Sequence, residues 1–516
     1  MAKQSSTLAL NLREPAAGIP LYRWLYEELR AAILAGSLRP GWRLPATRDL
    51  AAQYGVSRPT VVAAFEQLQS EGYVEGRVGS GTYVSETLPD DLLRVPKSQS
   101  LKRGRRRPIV TSLYARRLLS LQERAETRPQ GTFARLRASR KGATPRPRST
   151  RAFRASQPAL DSFPAGLWAT VAARRLRRAS MQLLAGGEAL GYRPLREAVT
   201  EYLNTSRGVN CSPDQVLIIS GVQEALDRTA RLLLNSGDPV WMEEPGYPGA
   251  AATFQVVGAK ICGVPIDAEG LNLEEGEHRW PSPRLVYVTP AHQFPLGVTM
   301  TLARRLALLE WAQRVGAVVF EDDYDSEYRY TGRPIPALQG LDRAGRVIFA
   351  GTFSDVLFPA LRLGYLVVPP DMVDLFAAAG AVSTHHPPLI EQAVLCDFIR
   401  EGHFARHVRR MRELYAERLS VLRDAADRWL TGALEIPRIE AGLRTAAWLR
   451  GGVSAERAAR AAAKRDVEVV PLSRYAFGRS PRNGLVLGFA AVDAREIRRG
   501  AEQLARALED CARGEG

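Results

Sequence analysis

Apolar positions at helical spacing open the chain. In PLYRWLYEELRAAILAG, residues Leu21, Trp24, Leu25, Leu29 and Ile33 fall on one face of a predicted helix, and Gly36 suits its end. A second short helix is predicted around Thr47 to Tyr54, Gly55 supplies a turn, and Ser57 caps a third helix through Glu71. Val61, Ala64, Phe65 and Leu68 fill the inward face of that third helix, which leaves Arg58 and Thr60 outward at its start. YVEGRVGSGTYV then reads as two strands around a Gly-rich tip, carrying Arg77. Three helices at this spacing make a helix-turn-helix, and the hairpin behind them makes a wing.

From about residue 150 the pattern changes. The apolar runs QVLIIS, RLVYVTP, AVVFEDDYD, RVIFAGTFSD and RLGYLVVP alternate with helical segments, which predicts a mostly parallel sheet covered on both faces. From Leu389 onward the pattern turns helical, with FIREGHFARHVRRMRELYAERLSVLRDAADRWL as one long amphipathic run. Strands and helices beyond it predict a smaller C-terminal subdomain. The fold class is multidomain, a helix-turn-helix head joined to an α/β body.

With 516 residues, 45% of them hydrophobic and 24% charged, the chain has the balance of a globular protein with more than one core. Its net charge of +16 is concentrated, because residues 97–154 hold 18 Lys or Arg against 2 acids. KSQSLKRGRRRP and RASRKGATPRPRSTR mix these cations with Pro, Gly and Ser, as a linker does. Within it, SLYARRLLSLQERAETR predicts one amphipathic helix. The expected boundaries are 17–85 for the head, 86–150 for a basic flexible linker and 151–516 for the body. Two roles stand equally for the linker, a solvated tether and a weak phosphate contact. The first fifteen residues lack a basic segment followed by an apolar one, and no stretch offers eighteen uninterrupted apolar residues. A cytoplasmic protein without membrane association is expected. Cys211, Cys262, Cys396 and Cys511 form no metal-ligand or disulfide spacing, which argues against both.

An arginine at the start of a recognition helix pairs bidentately with guanine or clamps a phosphate, and glycines at a wing tip let backbone amides approach phosphates. The segment from Pro20 to Val84 resembles the GntR-type winged helix through LYRWLYEELRAAILAG, LRPGWRLPATRDLA, YGVSRPTVVAAFEQLQSEGYVE and GSGTYV. That resemblance implies DNA contacts from Arg48, Ser57, Arg58, Thr60 and Gly79, beside Arg77 of the wing. It also implies a dimer reading two half-sites of a double-stranded operator.

From about Phe153 the chain resembles the fold-type I aminotransferases, through SFPAGLW, LGYRPLREAVTEYLNTSRGV, SGVQEALD, EEPGYPG, TPAHQFPLGVTM, EDDYDSEYRY, GTFSDVLFPALRLGY and EGHFARHVRRMRELY. Joined to a GntR-type head, this is the signature of the MocR subfamily of regulators. The resemblance implies a pocket suited to pyridoxal 5′-phosphate. Asp322 would pair with the pyridinium nitrogen, Tyr324 with the ring hydroxyl, and Tyr247 would stack on the ring. Amides of Val222 and Gln223, after Gly221, would hold the phosphate with Thr352, Ser354 and Arg362. HQFPLG places Phe294 where transaminases often carry Asn, with Gln293 as the candidate to compensate, and Val486 stands roughly where they carry a carboxylate-binding Arg. Amino-acid substrates are therefore not expected.

The cofactor's aldehyde needs a lysine amine. Family members usually read GTFSK, whereas this chain reads GTFSD, with Asp355 at the lysine position; after residue 150 its lysines are Lys260 and Lys464 alone. A carboxylate forms no imine, so the expectation is a non-enzyme with no catalytic residue. The body would sense a small-molecule effector and mediate a head-to-tail homodimer. Three occupancies stay open: no cofactor, a different ligand, or the amine form of the cofactor with its ammonium against Asp355. The alternatives are a pyridoxal-phosphate aminotransferase with an accessory DNA-binding head, and a non-regulatory nucleic-acid binder acting through the linker.

Overall fold

The computed structural model describes residues 19–77, 80–88, 111–126, 151–155, 157–331, 335–478 and 482–513. The chain divides into two units, Met1–Ile109 and Val110–Gly516.

In the first unit, α1 (Leu21–Leu34) buries Trp24, Leu25, Leu29 and Ile33. Leu21, expected on that face, is 45% exposed because it starts the helix, ahead of the first turn that meets the core. Helix α2 (Thr47–Tyr54) ends at Gly55, whose φ of 65° is the left-handed conformation that a glycine adopts without a Cβ penalty. Helix α3 (Arg58–Ser70) is capped by Ser57, whose hydroxyl accepts from the Thr60 amide at 3.3 Å. Strands β1 (Val74–Arg77) and β2 (Gly81–Val84) pair antiparallel as the wing. One core unites the helices and the wing through Leu29, Val61, Leu68, Tyr73 and Val84.

The second unit begins with α4 (Leu113–Glu126), inside the stretch expected as linker. That helix is docked. Arg117 donates to the Val257 carbonyl at 3.0 Å and to the Ser236 hydroxyl at 2.9 Å, and the Arg231 guanidinium lies over the Tyr114 ring at 5.0 Å.

The body is built on an eight-stranded sheet in the order β3-β10-β9-β8-β7-β4-β5-β6. These strands are β3 (Val216–Ile219), β4 (Pro239–Glu244), β5 (Lys260–Asp267), β6 (Gly270–Leu271), β7 (Leu285–Val288), β8 (Val318–Asp323), β9 (Val347–Thr352) and β10 (Gly364–Val367). The pairs from β5 through β4, β7, β8 and β9 are parallel, while β10 runs against both β9 and β3. Apolar clusters cover both faces, one around Leu226, Phe254 and Tyr287, the other around Trp241, Leu308 and Trp311, so these strands read as continuous apolar runs.

A second sheet of four strands, in the order β11-β12-β14-β13, forms the smaller C-terminal part. It comprises β11 (Leu434–Glu435), β12 (Arg444–Leu449), β13 (Val470–Pro471) and β14 (Gly484–Gly488). The 27-residue helix His403–Trp429 serves both parts: Phe404, Met411 and Tyr415 enter the core beside the large sheet, and Leu419, Leu422 and Ala426 enter the core of the small one. Among the described residues, no helix is long and apolar enough to cross a membrane.

Candidate functional site

The head presents its expected DNA-contact residues unequally. Arg58 is exposed at the first turn of α3, where a guanidinium meets no competing acid of its own helix turn. Arg48 is exposed on α2 with Asp49 at 3.4 Å. The Ser57 hydroxyl also lies 2.7 Å from the Thr60 hydroxyl, so both side chains serve the cap of α3. On the wing, Arg77 pairs with Glu75 at 2.7 Å and covers the Tyr83 ring at 4.9 Å. Gly79 lies outside the described residues.

In the body, the carboxyl ends of parallel strands converge on a cavity of about 310 Å³, the place where open α/β sheets bind ligands. Strand β3 runs out into Ser220 and Gly221, and the helix Val222–Leu233 starts there without a side-chain cap. Its first amides therefore have no intrahelical partner. Gly221 has φ of 96°, a left-handed backbone that favours glycine, and it lies against the Arg362 guanidinium at van der Waals distance. Arg362 precedes β10, holds a left-handed φ of 52°, and donates to the Ser220 carbonyl at 2.8 Å. Antiparallel pairing of Gly364 with both Thr352 and Ile219 brings that guanidinium to the ends of β3 and β9. At the end of β9, the Thr352 hydroxyl accepts from the Ser354 amide at 3.1 Å, and the Ser354 hydroxyl is buried with no hydrogen-bond partner among the described residues.

Asp322, at the end of β8, forms the floor. Tyr287 donates its hydroxyl to Asp322 Oδ2 at 2.7 Å, while Oδ1 is buried without a partner. Burial pushes this carboxyl up to about 7; the Tyr287 hydrogen bond opposes the shift, and Asp323 and Asp355 reinforce it. Asp355 lines the same cavity, raised to about 6 by burial, with the Arg444 charge working against that shift. Its chain is held by the Val356 carbonyl, which accepts from the Tyr328 hydroxyl and from His407 Nε2, both at 3.0 Å. No hydrogen bond or ion pair from a described side chain reaches the Asp355 carboxylate.

Three further expected residues have protein partners of their own. Gln293 does not line the cavity; its amide nitrogen is committed to the Glu243 carboxylate, the Pro245 carbonyl and the Phe294 carbonyl at 3.2, 2.9 and 2.6 Å. Tyr324 lines it, but its hydroxyl donates to the His292 carbonyl at 2.8 Å, which leaves the ring rather than the proton for a ligand. Tyr247 lines it with its hydroxyl accepting from Gln223 Nε2 at 2.8 Å and its ring edge-on to Phe294.

Arg444 was not foreseen. It is 3% exposed, lines the cavity, and lies over the rings of Phe294 and Tyr324 at 4.8 and 5.0 Å. Burial alone would lower its pKa, yet Tyr324, Asp325 and Asp355 together hold it above the ordinary arginine value. Strand β12 pairs Arg444 with Gly488 and Ala446 with Val486, so this guanidinium arises two positions along from the Val486 pair. A guanidinium thus reaches the cavity from the strand paired with that of Val486. Its sequence signal was a lone arginine opening the apolar run RTAAWL.

The cavity offers what a phosphorylated pyridine would use: an orphaned carboxylate oxygen on Asp322, a free hydroxyl on Ser354, uncapped helix amides and the Arg362 guanidinium. Among the described residues it offers no amine that an aldehyde would condense with. No described lysine lines it; Lys260 is exposed at the start of β5, and Lys464 is exposed at the end of the helix Ala455–Lys464.

Fold and cavity together define a winged-helix protein with an aminotransferase-type body. Residues 21–84 match the family described as bacterial regulatory proteins, gntR family, and residues 162–504 match aminotransferase class I and II. The chain is 42% identical to the probable rhizopine catabolism regulatory protein MocR of Rhizobium meliloti, over 95% of this chain and 94% of that protein. It is 30% identical to the HTH-type pyridoxine biosynthesis transcriptional regulator PdxR of Corynebacterium glutamicum, over 95% of this chain and 96% of that one. Among solved structures, the α-aminoadipate aminotransferase LysN of Thermus thermophilus, complexed with N-(5′-phosphopyridoxyl)-L-leucine, superposes with a TM-score of 0.65. It shares 32% identity and covers 70% of this chain and 92% of that one. The chain belongs to the gntR family of transcription regulators, in the MocR-like form that carries an aminotransferase-class domain.

Proposed function

We propose that the protein is a DNA-binding transcription regulator whose body senses a small molecule without an enzymatic cycle. The observation that carries this reading is a cavity that offers a phosphorylated ring a carboxylate, a hydroxyl, helix amides and a guanidinium but no amine from a described lysine, Asp355 standing in the segment where the resemblance expects lysine. Steady amino-group transfer needs that amine both to anchor the cofactor and to move the proton. A ligand here is held without a covalent bond.

Signalling then requires a ligand that binds one arrangement of the two DNA heads better than another. A homodimer reading two half-sites supplies such arrangements. Support for self-association comes from exposed apolar side chains, Met181 at 83%, Leu184 at 61% and Val382 at 89%, on helices whose ends meet where Gly186 approaches His386. A regulator of this kind works in the cytoplasm, beside the DNA.

The test is selection of bound fragments from a random double-stranded pool by the purified full chain, followed by an assay with amino donors and keto acids. Enrichment of a sequence with two half-sites, and no turnover, is expected. Turnover with no sequence preference would establish instead a transaminase with an accessory head.

A further inference from the structure

Resting on the ligand pocket proposed above, we infer that Asp355 makes the site selective for a primary ammonium on the ligand, so that it takes an aminomethylpyridine phosphate of the pyridoxamine 5′-phosphate class and discriminates against the aldehyde.

Charge placement is the reason. The cavity holds two carboxylates, Asp322 and Asp355, and two guanidiniums, Arg362 and Arg444. Arg362 sits with Gly221 and the uncapped start of the helix Val222–Leu233, an arrangement that takes a phosphate. Asp322 presents a buried oxygen that lacks a donor, which a protonated ring nitrogen supplies. Asp355 accepts no hydrogen bond from a described side chain, although Arg444, Asp325, Asp322 and Tyr247 all act on it or feel its charge. An ammonium brings three donors to that carboxylate. An aldehyde brings none, and turns a carbonyl oxygen toward a negative group. A hydroxymethyl brings one donor and no charge. The predicted order is therefore amine, alcohol, aldehyde, because a charge-assisted hydrogen bond in a partly desolvated site is about twice as strong as a neutral one.

The experiment is titration calorimetry of the full-length protein with pyridoxamine, pyridoxine and pyridoxal 5′-phosphates, in the wild type and in Asp355→Asn, with circular dichroism to establish that the variant is folded. Expected is an amine at least about tenfold tighter than the alcohol in the wild type, and a loss of that margin in Asp355→Asn. Equal binding of the three in the wild type, or a margin that survives in the variant, would overturn the inference while leaving the pocket assignment intact. Binding of none of the three would overturn both. A folded Asp355→Glu variant that keeps the amine first would support the role of charge at this position; one that ranks the three alike would count against it.

Discussion

The Tyr287 hydroxyl donates to one oxygen of Asp322 at 2.7 Å and leaves the other buried without a donor. A buried carboxylate in that condition favours its neutral form, and burial indeed raises Asp322 from 3.8 to about 7. The strain is removed by any ligand that brings a positive N–H to the free oxygen.

Asp322→Asn follows from this directly. The pyridine phosphates should bind about tenfold or more weakly, since the ring nitrogen loses its charged acceptor. Without ligand the variant should gain stability at high pH. A carboxyl whose pKa is raised on folding favours the fold below its unfolded value and loses that contribution as pH rises through the folded value, here from about 4 to about 7. Thermal melts should place the Asp322→Asn variant a few degrees above the wild type at about pH 8 and level with it near pH 4.

Arg362→Ala should weaken the amine, alcohol and aldehyde phosphates alike, on the order of tenfold or more, because the guanidinium serves the phosphate they share. Unphosphorylated pyridoxamine should lose much less. Calorimetry on the four ligands separates this residue from Asp355, whose loss acts on the amine alone.

On the head, Arg58→Ala should cost about 1–3 kcal/mol of operator affinity, as for a guanidinium that reads a base edge, with relaxed preference at one position of each half-site. Arg77→Ala, whose guanidinium is tied to Glu75 and Tyr83, should cost less and flatten the salt dependence instead. Fluorescence anisotropy against salt concentration reads both.

The docked helix α4 makes a separate prediction. Arg117→Ala removes both hydrogen bonds to Val257 and Ser236, and amide exchange across residues 113–121 should accelerate while the large sheet keeps its protection.

Much of this was legible in the chain because the head declares itself through local rules. The Ser57 cap, the Gly55 turn and the inward positions Val61, Ala64, Phe65 and Leu68 are set by spacing alone, and the structure buries those four as expected. The strands of the body were legible as apolar runs for the same reason, each being buried on both faces. What escaped depended on partners distant in sequence. Arg444 reaches the cavity because β12 pairs with β14, Gln293 turns away because Glu243 lies behind it, and Tyr324 is committed to a carbonyl from another loop. Helix α4 was visible as an amphipathic segment, but its docking depends on Val257 and Ser236, more than a hundred residues away.

Asp355→Lys probes whether position 355 faces the carbon that an internal amine would attack. With pyridoxal 5′-phosphate this variant should acquire a visible absorbance band and one borohydride-stable phosphopyridoxyl group mapping to residue 355. No adduct at that position would place the carboxylate elsewhere than the account requires.

The most direct test uses the wild-type protein: incubation with pyridoxal 5′-phosphate, reduction with borohydride, and intact mass with peptide mapping. An unchanged mass is expected, apart from substoichiometric labelling at exposed lysines such as Lys260 and Lys464, alongside ligand binding measured calorimetrically on the unreduced protein. One stoichiometric phosphopyridoxyl group on a single lysine, with its removal abolishing ligand binding, would contradict it.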